Sequence, residues 1–123
     1  MKIAMLSTYD RSGGAAIATY RLHRGVRSAG IDSYMVVQYK STDAPTVIKP
    51  EPHSKLKKVR ESVYRRRENN FSAAQKSMFS LACVPDNLEK SIASLNPDLV
   101  HLSWICGGYL KIETVRKFNL PIV

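Results

Sequence analysis

The chain is poor in cysteine and acidic residues and has no long apolar run. Its two cysteines, Cys83 and Cys106, form neither metal-ligand spacing nor a disulfide framework, and two reduced thiols in a cytoplasmic protein are the simpler reading. No stretch approaches the ~20 apolar residues that a membrane-spanning helix requires. A secretory leader is not expected either, because Lys2 is followed by only four apolar residues before Ser7. Three familiar machines are missing as well. There is no Gly-Lys-Ser/Thr of a P-loop, no G-x-G-x-x-G of a dinucleotide fold, and no G-x-S-x-G hydrolase elbow. His23 and His53 read as a helix-surface and a loop histidine and share no metal spacing. No metal and no cofactor are therefore expected.

Basic residues are plentiful. Lys and Arg number 19 against 10 Asp and Glu, giving a net charge of +9. Residues 49–67 alone hold eight basic and two acidic side chains. Residues 54–70 read as a helix, with Ser54 as N-cap and Leu56, Val59 and Val63 on one stripe. Lys55, Lys57, Lys58, Arg60, Arg65, Arg66 and Arg67 cover its other faces. Such a helix is read first as a solvated face and second as a contact for an anionic membrane surface. Nucleic acid ranks third, since Tyr64 alone interleaves the charges.

The first thirty residues organise the rest. Lys2-Ile3-Ala4-Met5-Leu6-Ser7 is short and apolar, as a parallel strand buried on both faces should be. A small-residue loop ending in Gly13-Gly14 follows. Residues 15–30 then carry Ile17, Tyr20, Leu22, Val26 and Ala29 at helical spacing, with Gly30 as the stop. Residues 31–39 read as a second strand, completing a right-handed βαβ unit. Residues 40–53 are a loop in which Val47 and Ile48 make a brief edge pairing. Residues 71–85 give no clear pattern.

Asp86 caps a short helix carrying Leu88, Ile92 and Leu95 and ending at Asn96-Pro97. Residues 98–104 form a third strand, expected beside the first on the side away from the second. Gly107-Gly108 is a turn, 109–118 a helix, and 119–123 the start of a fourth strand. The expected fold is a four-stranded, Rossmann-like parallel α/β sheet with helices on both faces. Its ligand crevice would lie at the switch point between the first and third strands, flanked by the loops 8–14 and 103–108.

Within that crevice Gly13 and Gly14 are either a phosphate cradle or only a tight turn. Asp10 either positions a polar ligand or closes the turn. Alternation along the third strand places His101 and Ser103 on one face and Trp104 on the other. His101 is more readily a satisfied core or cleft histidine than a base, and Ser103 lacks the Asp-His relay of a hydrolase nucleophile.

Two stretches carry a family likeness. Residues 2–16, with Ser12-Gly13-Gly14-Ala15-Ala16, followed by Tyr20-Arg21-Leu22-His23, resemble the start of glycosyltransferase family 4. Asn96-Pro97-Asp98-Leu99-Val100-His101-Leu102-Ser103-Trp104-Ile105 resembles a later strand of that family, with Ser103 where a second histidine is common. These are retaining, metal-independent enzymes of the GT-B fold. The resemblance implies that Gly13 and Gly14 bind the diphosphate of a nucleotide-sugar donor. It also implies that His101 lies by the acceptor and sugar cleft as a candidate catalytic residue, with Asp10, Ser103 and Trp104 lining it.

The implied activity is transfer of a sugar from a nucleotide-sugar donor to a glycan or lipid-linked acceptor, at the inner face of the membrane if the basic helix docks there. The likeness covers the amino-terminal half of the family's first domain, so the chain alone is expected to transfer no sugar. The rival reading is a small basic α/β module that binds nucleic acid or an anionic membrane surface.

Overall fold

The computed structural model describes residues 1–50, 59, 62, 63, 66 and 86–123. Strand β1 (Lys2–Tyr9) runs into helix α1 (Gly14–Ser28), which returns to β2 (Asp32–Tyr39) and a two-residue β3 (Val47–Ile48). Helix α2 (Leu88–Leu95), strand β4 (Leu99–Leu102) and helix α3 (Ile112–Lys117) follow. The four strands form one sheet in the order β3-β2-β1-β4, and every pairing is parallel. β1 is thus central, flanked by β2 and β4, as the sequence leads one to expect.

Both faces of the sheet are covered, which is why β1 reads as an unbroken apolar run. On one face Ile3, Met5, Met35, Val37 and Val47 are buried together, with Tyr20 and Val26 of α1 packed against them. On the other, Ala4, Leu6, Val36 and Val100 meet Leu88 and Ile92 of α2 and the buried rings of Tyr109 and Phe118. Each fully buried side chain of this kind contributes about 1.5–3 kcal/mol. Tyr109 also donates its hydroxyl to the Val36 carbonyl at 2.7 Å, satisfying the polar end of a ring that the core encloses.

The ends of α1 follow from its flanking glycines. Gly30 sits at φ +81, a region closed to most L-residues, and its N–H donates to Arg27 O at 3.0 Å while the Ile31 N–H donates to Val26 O at 3.2 Å. These two bonds are the pair that closes a Schellman motif. At α2 the stop is Asn96, in the left-handed region just before Pro97. The Asp86 carboxylate accepts the Leu88 N–H at 3.3 Å and the Lys111 N–H and Thr114 hydroxyl at 2.9 and 3.0 Å, fastening the starts of α2 and α3 together.

Three expectations need correction. The buried stripe of α1 is Ala16, Thr19 and His23, with Tyr20 and Val26 beside it, whereas Ile17 and Leu22 are 41% and 45% exposed and Ala29 is also exposed. His23 is therefore not a surface histidine. Its Nδ1 meets Ser33 Oγ and its Nε2 meets Thr46 Oγ1, each at 2.9 Å, so a polar ring is satisfied inside the domain. Burial, and then the Arg27 charge, lower its pKa below the ordinary 6.5. Third, residues 119–123 make a single parallel bridge, Val100 to Ile122, and the fourth strand is instead the Val47–Ile48 pairing at the opposite edge. The terminal run still lies along β4, through bonds such as Val123 N–H to Val100 O at 3.0 Å.

Of the expected basic helix, Val59, Ser62, Val63 and Arg66 are helical, with Val59 and Arg66 exposed. Lys55, Lys57, Lys58, Arg60, Arg65 and Arg67 lie outside the described residues, as does 71–85. Among the described residues no helix is long and apolar enough to cross a membrane.

Candidate functional site

The carboxyl ends of β2, β1 and β4 lie side by side, and the loops that leave them carry the residues singled out above. Gly13 ends the loop after β1 at φ +85 and occupies the N-cap position of α1. A glycine contributes no side chain to cap the helix, and no side-chain hydrogen bond replaces one. The first bond inside the helix runs from the Ile17 N–H to Gly13 O at 3.1 Å, so the N–H groups of Gly14, Ala15 and Ala16 come before it. A Cβ placed on Gly13 or Gly14 would meet no atom of the described residues within 4 Å. The start of α1 is positively polarised by its backbone and free of acidic side chains in its first turn.

Below it, Ser7 shares the α1-facing side of β1 with Ile3 and Met5. Its hydroxyl is fully buried and has no hydrogen-bond partner among the described residues. The second such atom is Gln38 Oε1, near the end of β2. Both buried, unpaired side-chain atoms thus fall at the carboxyl end of the sheet. The signal for Ser7 in the sequence is a hydroxyl at the end of an apolar run.

His101 pairs in register with Met5, which puts it on the same α1-facing side. It is half-buried, and its Nδ1 lies 3.2 Å from Ser103 Oγ. The expected alternation therefore brings His101 and Ser103 together. The hydroxyl ties one ring nitrogen and leaves Nε2 as the atom available to a ligand, since it has no partner among the described residues. Among the described residues no carboxylate is hydrogen-bonded to this pair.

Asp10 does not close its own turn but binds across to the loop after β2. Its carboxylate is buried and accepts the Ser41 N–H and hydroxyl, each at 2.8 Å, and the Thr42 N–H and hydroxyl at 2.8 and 3.0 Å. Burial alone would raise its pKa, but the four hydrogen bonds outweigh that and leave it below the ordinary 3.8. Asp10 is thus a fastener between the loops after β1 and β2, with its oxygens already committed.

The loops after β1 and β4 are joined at Thr8, another residue not anticipated. The Thr8 N–H donates to Trp104 O at 2.6 Å, and its hydroxyl lies 2.9 Å from Trp104 O and 2.6 Å from Cys106 O. Gly107 follows at φ +71, where a Cβ would come 3.6 Å from the Thr8 methyl. Trp104 itself is exposed. Across the edge, Tyr9 and Tyr39 stack with ring centroids 5.0 Å apart and planes 19° from parallel. Among the described residues no group of three or more His, Cys, Asp or Glu side chains is placed to hold a metal ion.

The candidate site is thus a set of backbone donors at the start of α1 and a histidine-serine pair at the carboxyl end of β1's neighbour β4. Comparison of the chain with protein-family models, with curated proteins and with solved structures finds no match.

Proposed function

We propose that the chain is the acceptor-side domain of a glycosyltransferase, moving a sugar from a nucleotide-sugar donor to a glycan or lipid-linked acceptor with retention. The observation that carries this reading is the start of α1, which has no side-chain cap and, among the described residues, nothing within 4 Å of a Cβ at Gly13 or Gly14, at the same end of the sheet as the Ser7 hydroxyl, buried and without a partner among those residues. A helix end of this kind stabilises negative charge through aligned N–H groups and the helix dipole. The negative charge that grows during glycosyl transfer is on the departing nucleoside diphosphate. Donors already aimed at it need no reorganisation as the bond breaks, which is how a fixed backbone lowers such a barrier. The roles are then Gly13 and Gly14 at the donor diphosphate and His101 at the sugar, oriented through Nδ1 by Ser103. The likeness of residues 2–16, 20–23 and 96–105 to glycosyltransferase family 4 supports the same assignment.

Calorimetric titration of the 123-residue chain with nucleoside diphosphates and the matching monophosphates tests it. Diphosphates are expected to bind more tightly than monophosphates, and Gly14→Glu is expected to weaken them roughly three- to tenfold by placing a carboxylate at the helix start. That substitution favours the helix itself, so lost binding would not reflect lost folding. Equal affinity for both nucleotide classes, or indifference to Gly14→Glu, would refute the reading.

A further inference from the structure

Of the titratable side chains buried among the described residues, His23 is the one whose charge changes in mild acid. Its ring joins three separate pieces of chain. It stands on α1, its Nδ1 lies 2.9 Å from Ser33 Oγ on β2, and its Nε2 lies 2.9 Å from Thr46 Oγ1 in the loop before β3. A neutral imidazole donates through one nitrogen and accepts through the other, so one of the two hydroxyls donates to it. A protonated ring donates through both. The hydroxyl that was donating then faces an N–H and has to turn or move away.

The charges around the ring oppose a second cation. From α1, Arg27 donates to the Ser33 carbonyl at 2.9 Å, and the Tyr20 ring lies 6.3 Å away, centroid to centroid. From β2, Asp32 has its carboxylate on Arg27 at 3.1 Å. The loop brings Lys40 and Asp43, both exposed, and β3 brings only Val47 and Ile48. Both ring nitrogens meet hydroxyls rather than carboxylates.

The two hydroxyl partners are held very differently. Ser33 is fully buried in β2, in register with Ile3 of the central strand. Thr46 is half-buried and precedes a strand of only two residues. Its carbonyl accepts the Met35 N–H at 2.9 Å, which ties the loop to β2. At the far end of the same loop, Ser41 and Thr42 are bound to the Asp10 carboxylate. That carboxylate stays ionised in mild acid, its pKa lying below the ordinary 3.8. One end of the loop therefore answers to the histidine and the other does not.

We propose that protonation of His23 unlatches residues 43–48, which lift from β2 as a flap hinged at Ser41 and Thr42. The charge on the ring is relieved on the Thr46 side, where water can reach it. The opposing cost is exposure of Val47, otherwise buried with Ile3, Met5, Met35 and Val37. The device is more specific than a general loss of stability in acid. It places the first opening at one edge of the sheet and leaves β1, β4 and the start of α1 folded.

Amide hydrogen exchange of the 123-residue chain at pH 7.5 and 5.5, corrected for the intrinsic rate at each pH, tests it. The Met35 and Val47 N–H groups, which donate to Thr46 O and Ala44 O, report the flap. The Ser103 N–H, which donates to Leu6 O, reports the opposite side of the sheet. Protection at Met35 and Val47 is expected to be lower than at Ser103 and insensitive to low urea, as local opening is. It is expected to fall several-fold from pH 7.5 to 5.5, with about tenfold as the ceiling for a released ring of ordinary pKa. His23→Gln is expected to abolish that fall. Thr46→Val, which keeps the ring, is expected to lower protection at both amides already at pH 7.5. Protection that is equal at the two pH values, that matches Ser103 throughout, or that still falls several-fold in His23→Gln would overturn the proposal. Should His23→Gln not fold, the comparison of Met35 and Val47 with Ser103 in the parent chain decides alone.

Discussion

Removing the Asp10 carboxylate is the perturbation whose cost can be worked most directly from the structure. Four donors converge on it at 2.8 to 3.0 Å, two of them backbone N–H groups and two hydroxyls. In Asp10→Ala the hydroxyls of Ser41 and Thr42 can turn to water and are counted as neutral. The two N–H groups lose charge-assisted bonds, each contributing about 1.5 kcal/mol at the low end of the range, for a loss of about 3 kcal/mol. In a domain of this length that corresponds to a fall of roughly 10 °C in Tm. Asp10→Asn should cost far less, about 1 kcal/mol. Its carbonyl oxygen can replace Oδ2 as a neutral acceptor, and its NH2 can donate to a reoriented Ser41 hydroxyl.

The pH dependence has a definite sign. A folded-state pKa below the ordinary 3.8 means that ionised Asp10 stabilises the fold above pH 3.8, and that this is lost as pH falls through the folded value. Urea unfolding of the parent and both variants at pH 7 and at low pH measures all of this. An alanine variant within about 0.5 kcal/mol of the parent at pH 7 would refute the fastener role, since surface changes of no consequence fall in that range.

His23 should titrate against stability. Its folded pKa lies below 6.5, so stability is level above about pH 6.5 and declines as pH falls below it, because the unfolded chain takes up the proton first. Urea midpoints of His23→Gln should be lower at pH 7 but flatter between pH 7 and 5.5, and an unchanged slope would contradict this. Two glycines, one inside α1 and one just past its end, should respond in opposite directions. Gly25→Ala meets no atom within 4 Å in an exposed helical position and should stabilise by about 0.5–1 kcal/mol. Gly30→Ala, at φ +81, should destabilise by about 1–2 kcal/mol. Thermal unfolding of the pair decides both.

Local signals in the sequence were sufficient for the strand-glycine-helix-strand opening, the position of β4 beside β1, and even the two-residue pairing of Val47 and Ile48. Apolar runs and glycine stops encode these within a few residues of each other. The buried face of α1 was not legible, because counting apolar side chains favours Ile17 and Leu22 over Thr19 and His23. What buries His23 is Ser33 and Thr46, hydroxyls supplied by β2 and the loop before β3. The same holds for the site. Gly13, Gly14, His101 and Ser103 announce themselves by residue type and alternation. The roles of Asp10 and Thr8 depend on partners at Ser41 and Cys106, which only the folded chain brings near.

The central claim is that the first turn of α1 receives a diphosphate, and amide-resolved NMR of the 123-residue chain titrated with uridine diphosphate tests it most directly. The account predicts that the largest shifts fall on Gly13, Gly14, Ala15, Ala16 and Ile17, with a smaller response at Ser7 and His101. Shifts confined to the basic residues 49–67, or none at all, would contradict it.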